Sequence, residues 1–600
     1  MLWRTIYVRS VPQNELLPPT RSWDAEGESK RGLGPCTYPR GGIQGGTMTH
    51  DLIIRGGTVH DGLGSEPFEA DIAIDGDTIV AIGNISADAT RIIDATGRIV
   101  TPGFVDLHTH MDAQAAWDAS ISPCSNHGIT SALIGNCSVT FAPCKPDDRS
   151  FLANMMETVE DIPADIILQG LPWDWESYGE YLDSLERCGP AINLIGLVGH
   201  AAIRFHVLGE RAIAATRDDE PDVTDSELAQ MVVLAETSVR SGAIGISFNR
   251  LVGHVLPDGR PIPGTYASHR EVTALAEAVH QAGGIVQVVP CILDDDDDRE
   301  LMRAITQDAG ARLLFSSVVE HAKGVGDDVD ALIAAGSDIT GITLPRRFGN
   351  LHGFSTFLPY RGERWKKLRR MDLDAKLAFF ADAERREEFA AAVDADGEFN
   401  HKARRLRWLG DTDYPTYLRE QTLVEEALAA DCRPIDLFID RALESGGTAK
   451  FHSSFANHDL DEVAAHLDRD WVLPGLGDAG AHARQICDAG YPTFYLSHWV
   501  RDLGTIALPE AVRLLTSAPA AVIGLRDRGA VAVGMRADLN VIDVDRLAEL
   551  QPMIVSDMPL DGQRLMQGAD GYDATVCNGI VVSANDRFTG DRGGRVLRSQ

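Results

Sequence analysis

Ala243-Ile244-Gly245-Ile246-Ser247 decides the fold because of what stands on either side of it. Before it, Leu228 to Arg240 has apolar residues at helical spacing and is closed by Ser241-Gly242. After it, Glu271 to Gln281 is again helical, is closed by Gly283-Gly284, and leads into Ile285-Val286-Gln287-Val288-Val289. Short apolar runs without alternation read as strands buried on both faces, and strands that alternate with helices form parallel sheets. The unit recurs in both directions. Ala191 to Val198 ends at Gly199-His200, while Arg312 to Val319 and Asp338 to Leu344 continue the series. Alternation of this length predicts an α/β fold, a (β/α)8 TIM-like barrel.

The flanks read differently. Asp71-Ile72-Ala73-Ile74, the turn Asp75-Gly76-Asp77 and Thr78-Ile79-Val80-Ala81-Ile82 spell a β-hairpin. Ala537 to Asp543 and Ala574 to Val582 are strand-like in the same way. Both ends are therefore expected to build one small β-sandwich, from residues 48–100 and 528–600, with the barrel over 101–527 between them. Across about 345–450 the pattern loosens into charged helices such as Asp374–Ala391, read either as a solvated insertion or as a lid over the barrel mouth. The run Asp294–Asp298 reads as a solvated helix N-terminus or loop, since acids favour that end of the helix dipole. Residues 1–47, rich in Pro, Gly, Arg and Ser, are expected to be disordered or a non-native extension and do not read as a signal peptide.

The bulk numbers narrow the function. The 600 residues can hold a barrel of ~250 residues or more plus smaller domains. A formal net charge of −34 repels phosphate backbones and anionic membranes, so neither nucleic acid nor membrane is an expected partner. No apolar stretch reaches the ~20 residues of a membrane helix. Nine cysteines without zinc-ribbon or disulfide spacing fit a reducing, cytoplasmic compartment.

The chemistry is concentrated at strand ends, where parallel barrels carry their working residues. Gly103-Phe104-Val105-Asp106-Leu107-His108-Thr109-His110 is an apolar run ending in two histidines. Side chains two apart on a strand share a face, so His108 and His110 can grip one divalent metal, although a lone pair of this kind is more often structural. Asn136-Cys137 follows the strand Ile129 to Gly135, His200 ends another, and Asp478 lies after Trp471-Val472-Leu473.

These segments resemble the metal-dependent amidohydrolase superfamily and, within it, the D-aminoacylase (N-acyl-D-amino-acid deacylase) branch. The resemblance rests on Asp51 to Gly62, Pro102 to His110, Gly135-Asn136-Cys137, Leu197 to His200, Gly242 to Ser247, Gly477 to His482, and Gly534 to Leu539. It covers most of 50–582 and is weak over 345–450. It implies a zinc enzyme, with one or two ions, that hydrolyses an amide bond of a small N-acyl amino acid. His108 and His110 would be metal ligands. Cys137 would be a thiolate ligand where related enzymes use a carboxylated lysine or an acid. Asp478 would be the general acid/base working on a zinc-activated water. His200, Arg250, His254 and His482 are expected substrate contacts, Arg250 for a carboxylate, with Arg346 and Arg347 as rivals. The family often assembles, so a homo-oligomer is a further expectation.

The chain departs from the branch on the middle strands, where D-aminoacylases carry further histidines. Here Gln287 to Cys291 and Phe315 to His321 stand in that region, with His321 beyond the expected strand end. Two alternatives accompany the leading reading. One is a cyclic-amide hydrolase of the dihydroorotase or hydantoinase kind, disfavoured because Gly245 to Arg250 lacks a bridging lysine. The other is a non-catalytic metal-binding barrel.

Overall fold

Eight short strands run parallel and in chain order around one sheet. They are β1 (Phe104–Asp106), β2 (Ile129–Ile134), β3 (Asn193–Gly199), β4 (Gly245–Asn249), β5 (Ile285–Val289), β6 (Leu313–Ser316), β7 (Ile339–Thr343) and β8 (Val472–Pro474). A bridge between Thr109 and Ala479, with His110 N donating to Ala479 O at 2.7 Å, joins the first strand's end to the last and closes the barrel. The structure is a computed structural model that describes residues 49–599 apart from 292–294 and 361. The expectations for residues 1–47 lie outside it.

The barrel strands are continuous apolar runs because both faces are covered: β2, β3, β4, β5 and β6 are buried at every residue. Helices Asp225–Arg240, His269–Gln281 and Val319–Ala334 fill the connections β3–β4, β4–β5 and β6–β7. The first of these starts at a capping box, Thr224 accepting Glu227 N while Glu227 reaches back to Thr224 N. Such a cap stabilises a helix start by about 1 kcal/mol.

The two chain ends meet in one nine-stranded sheet. Ile99–Pro102 pairs antiparallel with Leu539–Ile542, so a strand leading into the barrel lies against one leaving it. Leu52, Ile54, Ile72, Val541 and Val576 share its apolar core. That sheet positions β1 directly, since Gly103 N donates to Asp538 O at 2.8 Å.

Between β7 and β8 the chain makes a long excursion. Its helices, including Leu373–Ala381, Ala383–Asp396 and Pro434–Glu444, close over a separate aromatic core of Trp365, Phe380, Phe389, Phe399 and Phe438. It also holds a three-stranded antiparallel sheet of Phe348–His352, Phe451–Ala456 and Leu406–Trp408, in and just beyond the stretch where the sequence shows a loosened pattern and charged helices. Its strands of three to six residues are too short and too far apart in sequence to show a period. Among the described residues, no helix is long and apolar enough to cross a membrane.

The acidic run also differs from its reading as solvated. Asp298 is buried, accepts Cys291 N at 2.9 Å and faces His321 Nε2 at 3.1 Å, and Asp297 pairs with Arg217, Arg250 and His269. Successive residues of helix Asp295–Arg303 point in different directions, so these two acids turn inward rather than to solvent. Asp294 lies outside the described residues.

Candidate active site

The chain leaves β1 through Leu107-His108-Thr109-His110, where Thr109 bridges Ala479 and both imidazoles turn to the same side, within reach of Cys137 Sγ. β2 turns at Gly135, whose φ of +79° and 2.0 Å approach of a would-be Cβ to Leu197 O leave room for no other residue. The turn delivers Cys137 between the histidines. Its Sγ lies 3.3 Å from His108 Nε2 and 3.4 Å from His110 Nε2, and the three ligand atoms all fall within 4.8 Å of one another. All three residues are buried.

The segment carrying Cys137 is strapped on several sides. Asn136 Nδ2 donates to Thr109 O and Leu133 O, Cys137 N donates to Gln287 Oε1 at 3.3 Å, and Ser138 N donates to Ser247 Oγ at 3.0 Å. Cys137 and Ser138 have φ of 56° and 71°, a sparsely populated region for residues with a side chain. Leu476, Asp478 and His482 share it at 60°, 46° and 43° on the loop after β8. Each such residue costs of order 1–3 kcal/mol, which the surrounding straps hold in place.

Asp478 Oδ1 stands 3.3 Å from His108 Nε2 and keeps 13% of its side chain exposed. On the opposite side, His110 Nδ1 meets Glu160 Oε1 at 3.0 Å, and Glu160 is 1% exposed at the end of helix Arg149–Glu160. His108 Nδ1 lies 3.4 Å from Ser316 Oγ. Asp112, two residues past His110, accepts Gly135 N at 3.0 Å.

Electrostatics favour a cation in this cluster. Burial, reinforced by His254, pushes the His108 pKa down to about 3, and burial drives that of His110 well below its usual value. Both rings are therefore neutral, as ligation requires. Burial and the carboxyls of Asp478, Glu160 and Asp112 hold the Cys137 thiol far above its ordinary range. A thiolate there needs a positive partner, and among the described residues no Lys or Arg side chain touches Cys137 Sγ. A tetrahedral zinc with bonds of ~2.0–2.3 Å needs ligand–ligand edges of roughly 3.3–3.6 Å, and the two observed sulfur–nitrogen edges fall there. The donor set of two imidazoles and one sulfur fits a borderline-soft divalent ion.

The expected substrate contacts divide into two groups. His254 and His482 lie close enough to the centre for their charge to count: both help to depress the His110 pKa and His254 that of His108, while Ala483 N, next to His482, donates to Glu160 O. His254 Nδ1 is buried with no hydrogen-bond partner. His200 and Arg250 are engaged elsewhere, against expectation. His200 Nε2 faces Glu271 Oε1 at 2.7 Å, and Arg204 holds the same carboxylate. Arg250 donates to Ala267 O and Asp297, brought to it by helix Asp295–Arg303, so both terminal nitrogens already have a protein acceptor. The rivals are taken too: Arg346 pairs with Glu549 and Asp488, and Arg347 with Glu420.

Gln287 on β5 and Ser316 on β6 occupy the places where a middle-strand histidine was sought, and each contacts a member of the trio. Glu160 was missed in sequence; it ends an ordinary amphipathic helix and carries no local mark. His321 belongs to the Asp298 pair rather than to the trio.

A family model described as Amidohydrolase family matches residues 91–583. A D-aminoacylase of Alcaligenes xylosoxydans xylosoxydans is 27% identical over 592 residues, spanning 92% of this chain and 99% of that protein. An N-acyl-D-glutamate deacylase of the same organism is 28% identical over 516 residues, spanning 83% and 88%. Among solved structures, an N-acyl-D-glutamate deacylase of Bordetella bronchiseptica, complexed with zinc and a phosphonate inhibitor, superposes with a TM-score of 0.61 at 22% identity, covering 92% of this chain and all of that one.

Proposed function

The chain belongs to the amidohydrolase family, as a metal-dependent hydrolase of carbon–nitrogen bonds other than peptide bonds, and from that premise we propose that it is an N-acyl-D-amino-acid deacylase. One observation carries the reading: Cys137 Sγ lies within 3.4 Å of both His108 Nε2 and His110 Nε2, beside the Asp478 carboxylate. The named relatives that match nearly full length act, by their names, on N-acyl-D-amino acids.

His108, His110 and Cys137 would hold the ion, which we take to be Zn²⁺. When bound, such an ion polarises the amide carbonyl and lowers the pKa of water to about 7. Glutamine and serine at the β5 and β6 positions favour one ion per chain over two. The residues do the rest. Asp478 accepts a proton from the attacking water and returns it to the leaving amide nitrogen. Burial, with Asp488 and Asp106 nearby, raises its carboxyl pKa, and a cation held by the trio would oppose that shift and favour the carboxylate that can take the proton. Burial keeps the rings of His254 and His482 neutral, and in this reading they would hydrogen-bond the substrate.

Glu160 would set the charge beside His110 through the 3.0 Å approach at Nδ1, leaving Nε2 for the ion. Glu160→Gln keeps the shape and removes the charge. It is expected to weaken metal affinity about 10–100-fold in chelator competition, and unchanged affinity would contradict the role.

The substrate class is tested by product release over paired N-acyl-D- and N-acyl-L-amino acids, with metal analysis on the same sample. Turnover confined to the D series is the expected result. No turnover on any pair by metal-loaded protein would remove the deacylase reading.

A further inference from the structure

A groove of about 1110 Å³ lies outside the metal centre. One wall comes from the insertion and carries Phe354, Lys376, Trp408 and Lys450; the other is formed by Ile554 with Arg484 of the loop after β8. Its charges are unevenly matched. Arg441 in the wall pairs with Glu426, and Arg484 with Asp161. Lys376 and Lys450 pair with no carboxylate among the described residues, although they are only 9% and 8% exposed. Each ammonium has a single backbone acceptor, Phe354 O at 2.8 Å for Lys376 and Thr448 O at 3.0 Å for Lys450. Both acceptors belong to residues of the groove wall.

An ammonium has three donors, and lysine is almost never this buried unless paired. The acids of the wall do not supply the partner. Asp372, Asp411 and Glu444 are exposed, and Asp372 accepts Ala375 N to cap helix Leu373–Ala381. Burial lowers both lysine pKa values, and an approaching anion would act in the opposite direction, favouring the charged form. Phe354 and Trp408 add apolar surface beside the charges, in a chain whose overall charge of −34 makes a cationic recess unusual.

We propose that this groove binds a small organic anion, an oxyanion on an apolar body, with Lys376 and Lys450 as its charged contacts. The proposal does not depend on the deacylase reading, because none of the trio, Asp478 or Glu160 lines the groove. Carboxylate and phosphate share the required chemistry.

Calorimetric titration of the intact, metal-loaded protein with hexanoate and, separately, with inorganic phosphate separates the two sources. Saturable binding of at least one probe is expected. K376M and K450M should each weaken it about tenfold or more, and the double variant should abolish it. K450R, which keeps the charge, should retain binding, and unchanged thermal unfolding of each variant without probe reports an intact fold. Hexanoate alone identifies a carboxylate ligand, and phosphate alone a phosphorylated one. Absence of saturable binding to the wild type, or wild-type affinity in the double variant, would overturn the proposal; the latter would place the anion at the metal centre.

Discussion

Asp478→Asn is expected to lower turnover of an N-acyl amino acid about 10²–10⁴-fold while the chain keeps its metal and its unfolding temperature. Asparagine has nearly the same volume, and it tolerates the left-handed backbone, here at φ 46°, as aspartate does. The loop therefore keeps its shape, including the bridge from Ala479 to Thr109 that closes the barrel. What is lost is the ability to accept a proton 3.3 Å from His108 Nε2, where the attacking water must give one up. Steady-state kinetics with metal content on the same preparation checks the result. Near-normal turnover would show that Asp478 is a turn residue and that another group moves the proton.

Cys137→Ser should have the larger effect, because it acts on metal binding before chemistry. Serine preserves size and adopts the same φ of 56°, so the straps from Gln287 and Ser247 can persist. Its hydroxyl is a hard neutral donor where a metal-bound Cys137 would present an anionic sulfur. The loss of affinity is expected to exceed the about 10–100-fold typical of outer-shell partners, and activity at ordinary metal concentrations should fall to background. Cys137→Asp, which restores an anionic ligand atom, should recover part of the binding. Full metal content in Cys137→Ser would exclude the thiolate as a ligand.

Much of the barrel is legible in sequence because its strands are buried on both faces and read as uninterrupted apolar runs between helical stretches. The alternation at β1 likewise puts His108 and His110 on one face by local geometry alone. Other parts of the site are assembled over long distances. Glu160 reaches His110 only when helix Arg149–Glu160 folds back against the barrel. Arg250 looks available in sequence, and only the fold brings Asp297, 47 residues later, onto its guanidinium. Gln287 and Ser316 are visible in sequence as missing histidines, while their contacts to Cys137 and His108 follow from strand register. The insertion hides its three-stranded sheet because Leu406–Trp408 is too short to show a period and pairs with a strand more than 40 residues away.

In the proposed centre, two imidazoles and one thiolate hold a single divalent ion at the barrel mouth. Cobalt substitution tests it most directly, because a thiolate bound to Co²⁺ gives a charge-transfer absorption that imidazole and carboxylate ligands do not. The wild-type protein is expected to show that band, saturating at one Co²⁺ per chain, and Cys137→Ser to lack it. A cobalt-loaded wild type without the band, or a band that survives in Cys137→Ser, would contradict the account.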